Sequence, residues 1–285
     1  AFTNIGGDVS YVGTAYTFKG RDFLNQMWMV GANGAGQLGQ NNTTQYSSPV
    51  QVPGTTWALA RAGNYFMAAV KTDGTLWSWG YNNNGQLGHN NKTKYSSPVQ
   101  IPGTTWSTSV DTLDATSKGM SAVKTDGTLW VWGKNDAYGS LGQNNQTDYS
   151  SPKQIPGTTW ATVTGGNRYD GGVAWRMATK TDGTLWGWGL NEQGQLGQNT
   201  SIEYSSPVQI PGSTWSKVSA GANHVVATKT DGTVWGWGRN NEGALGLNSV
   251  TAPANVGYSS PVQIPGTTWQ FVESASYSTQ FFKTP

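Results

Sequence analysis

Few side chains of this 285-residue chain have the spacing that catalysis needs. Its two histidines, His89 and His224, lie far apart, and its glutamates are scattered at 192, 203, 242 and 273. Neither the Gly-x-Ser-x-Gly motif of serine hydrolases nor the His-Glu-x-x-His motif of zinc enzymes occurs. The absence of cysteine excludes disulfides, thiolate metal sites and a cysteine nucleophile. We therefore expect a protein that is not an enzyme and that uses no metal or cofactor.

Three further patterns have both a chemical and a structural interpretation. The segment 34–39 matches the Gly-x-Gly-x-x-Gly motif of dinucleotide-binding proteins, but that motif must open a helix, and here it is one copy of a repeated loop. Four Asn-x-Thr/Ser sequons, at Asn42, Asn91, Asn145 and Asn199, are either glycosylation acceptors or turn caps, and we favour turn caps. Five lysines occupy equivalent repeat positions and could attract an anion: Lys71, Lys124, Lys180, Lys229 and Lys283. All but the last precede an aspartate by two residues, so we favour the interpretation that they lie in solvated turns.

An internal repeat determines the architecture. Five tryptophans are spaced by 49, 53, 56 and 49 residues: Trp28, Trp77, Trp130, Trp186 and Trp235. Within a unit, polar and apolar residues alternate with a period of two, which predicts strands with both tryptophans of a Trp-x-Trp pair on one face. Thr-Asp-Gly segments predict tight hairpins, and a segment with two prolines predicts a strand at the sheet edge.

Each unit therefore predicts four short antiparallel strands, the pattern of a β-propeller blade. In the sequence repeat that contains Trp77, these strands are 57–60, 66–71, 75–79 and 98–101. The fold class we expect is all-β, a β-propeller of four-stranded antiparallel blades, with five blades closed by pairing of the N- and C-terminal half-blades. The C-terminal half-blade supplies two strands, and the residues 27–31 and 49–52 supply the other two.

The first residues compete for the same place in that blade. Strands at 9–12 and 16–19 are alternatives to the C-terminal pair, and a surplus pair is a natural donor to a neighbouring subunit. We therefore divide the chain into an N-terminal β-rich extension, 1–26, and a β-propeller domain with five repeats, 27–285.

The repeat resembles that of the regulator of chromosome condensation family. The segment from His224 to Gly246 carries Asp-Gly, Trp-Gly, Asn and Gly-x-Leu-Gly at offsets that recur along the chain. The resemblance implies a β-propeller, and for eukaryotic relatives an adaptor that binds a small GTPase or chromatin. The founding members have seven blades, whereas five units occur here. The histidine that opens the family repeat occurs here at His224, with Phe66, Gly119 or Arg176 near its place in other copies.

Fourteen of the fifteen tryptophans occupy repeat positions on strands, which favours packing between blades over sugar stacking. The predicted structural core contains Trp28, Trp57, Trp77, Trp79, Trp106, Trp130, Trp132, Trp160, Trp186, Trp188, Trp215, Trp235, Trp237 and Trp269. Trp175 falls outside this pattern, in an inserted segment, and is a binding candidate.

Length differences between units concentrate in the connections that follow the first and third strands. Loops on a rigid scaffold are where recognition usually occurs. The predicted partner-binding residues are Asp111, Asp114, Lys118, Arg168, Tyr169, Asp170, Trp175 and Arg176, together with the segment 250–256.

Three functional hypotheses follow. The first is a non-enzymatic structural or adhesion propeller on an exposed surface, such as a virion, a tail or an extracellular assembly, that is able to self-assemble through terminal strands. The second is an intracellular adaptor of the family type, cytoplasmic or nuclear. The third is a carbohydrate-binding propeller that uses Trp175, Tyr169 and the sequon loops. A net charge of +2 argues against nucleic acid as a partner, and no apolar run is long enough to predict a membrane span.

Overall fold

A computed structural model gives the structure of the chain. It describes residues 26–167, 174–249, 257–266, 269–274 and 277–283. The predicted extension 1–26 therefore lies outside the described residues except for its last residue, as do Arg168, Tyr169, Asp170 and the segment 250–256. The described residues form strands and turns, and no helix long and apolar enough to cross a membrane occurs among them.

The chain divides into two compact units. The first comprises Ala1–Asp126, Trp130–Lys134 and Asp148–Gln154. Its two-stranded sheet is formed by β1 (Trp28–Gly31) and β2 (Tyr46–Gln51). A four-stranded sheet follows with β3 (Trp57–Ala62), β4 (Phe66–Lys71), β5 (Leu76–Gly80) and β6 (Tyr95–Ile101). The next sheet contains β7 (Leu113–Ala115), β8 (Gly119–Val123), β9 (Leu129–Gly133) and β10 (Tyr149–Ile155). The first residue of β9 and the last residue of β10 belong to the second compact unit.

The second unit repeats this arrangement. One four-stranded sheet is built from β11 (Trp160–Asn167), β12 (Ala174–Lys180), β13 (Leu185–Gly189) and β14 (Tyr204–Ile210). The next is built from β15 (Trp215–Ala220), β16 (His224–Lys229), β17 (Val234–Gly238) and β18 (Tyr258–Ile264). A two-stranded sheet of β19 (Trp269–Ser274) and β20 (Thr279–Lys283) ends the unit.

Strand order within each four-stranded sheet follows the sequence, and neighbouring strands are antiparallel. The proline-containing fourth strand lies at a sheet edge, as predicted, because proline has no N–H to donate to a further strand. The predicted pairing of the two terminal half-blades is not among the strand pairings of the described residues, so closure stays a prediction.

Three tryptophans pack together inside each complete sheet. The first-strand indole of Trp57 lies 5.8 Å from that of Trp79 and 6.4 Å from that of Trp77, and Trp57 and Trp79 are buried. The equivalent of Trp77 in each complete sheet is half-buried, and a lysine ammonium lies over its ring, as Lys71 does at 4.2 Å. These lysines, Lys71, Lys124, Lys180 and Lys229, are thus cation–π partners of two indoles each rather than solvated turn residues.

Trp28 is an exception to the predicted core. Its side chain is 42% exposed, because β1 pairs with β2 alone among the described strands and no first-strand tryptophan covers it. The prediction that Trp28 is a core residue was therefore wrong for the described structure.

A buried asparagine holds each long connection between the third and fourth strands. Asn82 Nδ2 donates to the carbonyl oxygens of Asn91 and Thr93, and its Oδ1 accepts from Leu87 N at 2.9 Å. Equivalent asparagines at 33, 135, 191 and 240 accept from the leucine amide in the same way. Within each unit the connection docks on the next fourth strand, as Asn90 N does by donating to Ser150 O at 2.7 Å.

The sequon side chains serve these connections. Asn91 Oδ1 accepts from Thr93 N at 2.9 Å, and its Nδ2 donates to Tyr95 Oη at 3.1 Å. Asn42 and Asn145 form the same Asx turn, which confirms turn capping at these three. Asn199 is placed one residue earlier in its connection, at the position of Asn90, so the four sequons are not all equivalent.

Candidate functional site

Three of the short turns between the first and second strands share two backbone hydrogen bonds and differ in their side chains. In three of them the residue before the second strand accepts a hydrogen bond through its carbonyl from the residue after the third strand. The acceptors are Tyr65, Lys118 and Asn223, and each N···O distance is 2.8 or 2.9 Å. A second bond, from Gly63 N to Phe66 O at 2.9 Å, also recurs in all three turns. The same two hydrogen bonds therefore place a tyrosine, a lysine and a buried asparagine at equivalent positions, and of these three residues Tyr65 alone has a positive φ.

Two of these turns lie against each other in the first unit. A Cβ atom on Gly63 would lie 2.7 Å from the carbonyl oxygen of Thr116, so the close approach requires glycine at this position. Tyr65 adopts a φ of 64°, which is unusual for a bulky residue, and its side chain is 48% exposed. Backbone strain that presents an exposed aromatic residue suggests a functional position.

The additional residues of the second complete sheet approach β3, the strand that leads into the first of these turns. They form an excursion, 107–112, between Trp106 and β7, which begins where Ser107 N donates to Val123 O and returns where Val123 N donates to Thr112 O. Asp111, with a φ of 71°, and the 64% exposed Val110 lie at its tip. Arg61 Nη2 approaches Asp111 Oδ1 at 4.0 Å and so links β3 to the excursion. We call residues 63–65, 107–112 and 116–118 the turn surface.

The predicted binding residues of the first unit are placed in different environments. Lys118 lies in the turn surface and is half-buried. Asp111 lies in the excursion before β7 rather than in the connection after the first strand, where the length comparison had placed the additional residues. Asp114 lies on β7 itself and is half-buried. Sequence comparison missed Arg61 and Tyr65, although the sequence carries a signal at Tyr65, where the other units have lysine or asparagine.

The prediction that Trp175 and Arg176 bind a partner was wrong. Both lie on β12 and are fully buried, so neither is accessible to a partner. Trp175 pairs with Gly189, as His224 pairs with Gly238, and it therefore occupies the position of the family histidine that we had associated with Arg176. Its Nε1 donates to Ala222 O at 3.2 Å, while Arg176 Nη1 donates to Ser140 O. The inserted residues lengthen the β11–β12 hairpin, which continues to the pair Asn167↔Ala174.

The described residues hold no cluster of side chains that could bind a metal ion. No group of three or more His, Asp or Glu side chains converges among them. His89 Nε2 lies 2.9 Å from Ser78 Oγ, and burial lowers its pKa. His224 Nε2 lies 3.1 Å from Thr279 Oγ1, and burial lowers its pKa to about 4. Ser78 Oγ donates to Leu87 O, which is a structural bond of the connection.

Comparison with known proteins follows the repeat unit. The family model described as "Regulator of chromosome condensation (RCC1) repeat" matches residues 25–70, 73–111, 126–169, 182–228 and 231–281. The chain belongs to this family. The five RCC1 repeats confirm the recognised resemblance and the repeat count.

The most similar curated relatives match only part of this RCC1-repeat chain. The Arabidopsis thaliana ultraviolet-B receptor UVR8 is 32% identical over 89 residues, which cover 31% of the chain and 19% of the receptor. The Danio rerio RCC2 homolog is 35% identical over 107 residues, 35% of the chain and 20% of that protein. The chain thus matches about a fifth of the length of these relatives.

Two solved structures match over most of the chain. Yeast RCC1 (Prp20), solved bound to Kap60, superposes with a TM-score of 0.76 at 16% identity, covering 94% of this chain and 66% of Prp20. Human WBSCR16 gives a TM-score of 0.71 at 20% identity, covering 90% of this chain and 67% of that protein. These likenesses confirm the predicted all-β propeller fold with four-stranded antiparallel blades.

Proposed function

We propose that this chain is a non-enzymatic adaptor of the RCC1-repeat type that binds a protein partner through the turn surface. This proposal rests on one observation: a hydrogen-bonded turn presents Tyr65, which is exposed and has a strained backbone, four residues after Arg61 of the Arg61–Asp111 pair. Tyrosine and arginine are the residue types that contribute most binding energy in protein interfaces. The family comparison favours this adaptor hypothesis over the exposed-surface structural or adhesion hypothesis.

A small GTPase is the partner class that we propose. One relative is named as an X-linked retinitis pigmentosa GTPase regulator homolog, and Prp20p from Saccharomyces cerevisiae is described as binding Gsp1p and histones. Histones and DNA are both highly charged, and each favours a partner with a large net charge of the opposite sign. This chain has a net charge of only +2, so we propose a GTPase rather than histones. These relatives also support an intracellular location, cytoplasmic or nuclear. Carbohydrate is not proposed, because Trp175 is buried and the sequon side chains of Asn42, Asn91 and Asn145 are engaged in turns.

Binding to purified proteins tests this proposal. The chain is presented to a panel of small GTPases, nucleotide-free or loaded with GDP, and to core histones, with affinity measured by biolayer interferometry at physiological salt. Tyr65→Asn keeps the left-handed backbone, which asparagine tolerates, and removes the phenol ring. We expect at least tenfold weaker GTPase binding by Tyr65→Asn, because the ring is an exposed aromatic anchor.

A matched control uses another exposed apolar residue. Ile202 is 61% exposed in a connection of the second unit, and Ile202→Ser is expected to leave GTPase affinity unchanged. Equal losses in both variants, or binding to histones alone, would contradict the proposal.

A further inference from the structure

The turn between β19 and β20 carries an exposed tyrosine at the repeat position of Tyr65. In both hairpins the strand-ending lysine pairs with the first-strand tryptophan, so the two hairpins share one register. In each of them a tyrosine follows that tryptophan by eight residues, at 65 and at 277. Tyr65 is 48% exposed and Tyr277 is 42% exposed. The second unit therefore presents the same residue type at the same place in its last hairpin.

The hairpin itself does not need a tyrosine at this position. Among the described turns between a first and a second strand, the other two carry Lys118, which is half-buried, and Asn223, which is buried. The same two backbone hydrogen bonds form around lysine and asparagine as around Tyr65. An aromatic residue that the turn does not require, and that solvent reaches, is available to a partner.

The position of Tyr277 stays exposed when a sheet is complete. Tyr65 belongs to a sheet of four strands, and a second turn lies against its own turn, yet its side chain remains open to solvent. Phe282 is also exposed but differs from Tyr277, because its equivalent Val70 is buried in the complete sheet. A tyrosine in this turn is thus accessible in complete and two-stranded sheets alike.

Side-chain hydrogen bonds hold the last hairpin to the preceding sheet on both sides of Tyr277. Before the turn, Ser274 N donates to Ser219 Oγ at 2.8 Å, and Ser274 Oγ donates to Ser219 O at 3.3 Å. After the turn, His224 Nε2 lies 3.1 Å from Thr279 Oγ1. All of these residues belong to the second unit. The turn is therefore held in place before a partner arrives, which lowers the entropic cost of binding through Tyr277.

We propose that Tyr277 is a second anchor residue for the protein partner, presented by the turn between β19 and β20. This inference rests on the proposed function, and its partner is of the same class, a small GTPase. The phenol ring enters an apolar recess of the GTPase, and its hydroxyl group hydrogen-bonds at the rim of that recess. The exposed residues that follow, Ser278 and Gln280, are uncharged, so the ring supplies the main contact on that side.

Binding to the small GTPase that the native chain recognises tests this anchor. Tyr277→Asn introduces the residue that the preceding turn carries at the equivalent position, Asn223, so the hairpin accepts it. We expect about fivefold weaker affinity by biolayer interferometry, because the aromatic contact is lost. Tyr277→Phe keeps the ring and should bind within about twofold of the native chain. Ser278→Ala alters the exposed neighbour and is the matched control, for which we expect native affinity.

The outcomes separate this inference from the proposed function. If Tyr65→Asn weakens GTPase binding and Tyr277→Asn does not, the second anchor is wrong and the turn surface stands. If Tyr277→Asn and Ser278→Ala lose affinity equally, the ring is not the contact and the second anchor is again wrong. A native chain that binds no GTPase overturns the proposed function and, with it, this inference.

A second pair of variants tests whether the held turn matters. Ser219→Ala removes the hydroxyl acceptor of Ser274 N and leaves Tyr277 in place. We expect GTPase affinity about threefold below that of the native chain, because the turn must then be ordered on binding. Ser219→Thr retains a hydroxyl group and should restore native affinity. Native affinity in Ser219→Ala, with an unchanged Tm, would show that the bonds to the preceding sheet do not position the anchor.

Discussion

His224 is a buried ionisable residue of the described structure. Its ring is 2% exposed, and its Nε2 hydrogen-bonds to the hydroxyl of Thr279. Burial disfavours the charged imidazolium, which lowers the pKa from 6.5 to about 4. In the unfolded chain the imidazole binds a proton near pH 6.5, so the folded state is favoured above that pH and loses stability as pH falls toward 4.

We therefore expect the chain to lose stability between pH 7 and pH 5 through this residue. The loss is about 2 kcal/mol, because the unfolded state gains protonation over this interval and the folded state does not. His224→Gln retains a side chain that can bond to Thr279 but does not titrate. Thermal unfolding of both proteins at the two pH values measures the difference. An equal pH dependence of Tm in both would contradict the assignment.

In each repeat, the connection between the third and fourth strands depends on one buried side-chain amide. Asn82 is fully buried and holds Leu87 N, Asn91 O and Thr93 O together. Asn82→Ala leaves these buried backbone groups without their side-chain partner, at a cost of about 3 kcal/mol.

Asn83→Ala is the matched control for this element, since Asn83 is the exposed neighbour in the same connection. We expect Asn83→Ala to change stability by less than about 0.5 kcal/mol. Urea unfolding of the two variants provides the comparison, and similar midpoints would show that the amide does not hold the connection.

The elements with strict repetition were predictable from sequence. The interval 66–71 is a strand as predicted, and the proline-containing strand lies at a sheet edge. These succeed because alternation, Asp-Gly turns and proline act locally. Trp175 failed because a six-residue insertion between Trp160 and Trp186 hides the register, and register is fixed by pairing with Gly189, which is distant in sequence.

The candidate site was only partly predictable for a related reason. The greater length between Trp106 and Trp130 signals an insertion, but not whether it precedes or follows the first strand. The backbone bonds of Val123 place it before β7. The approach of Arg61 to Asp111 joins two different sheets, and no local pattern in the sequence reports such a contact.

At the scale of the whole molecule, stability should be graded along the repeat array. In repeat proteins each unit is stabilised by its neighbours, so units with an open edge are the least protected. The complete sheets bury their first-strand tryptophans to 3% exposure or less, whereas β1 exposes Trp28 and β20 exposes Phe282.

Amide hydrogen exchange followed by mass spectrometry should resolve this gradient. We expect slow exchange in the central strands β4, β8 and β16, and faster exchange in β1 and β20, because each of the latter pairs with a single strand among the described residues. Exchange in β1 and β20 that is as slow as in β4 would contradict this gradient.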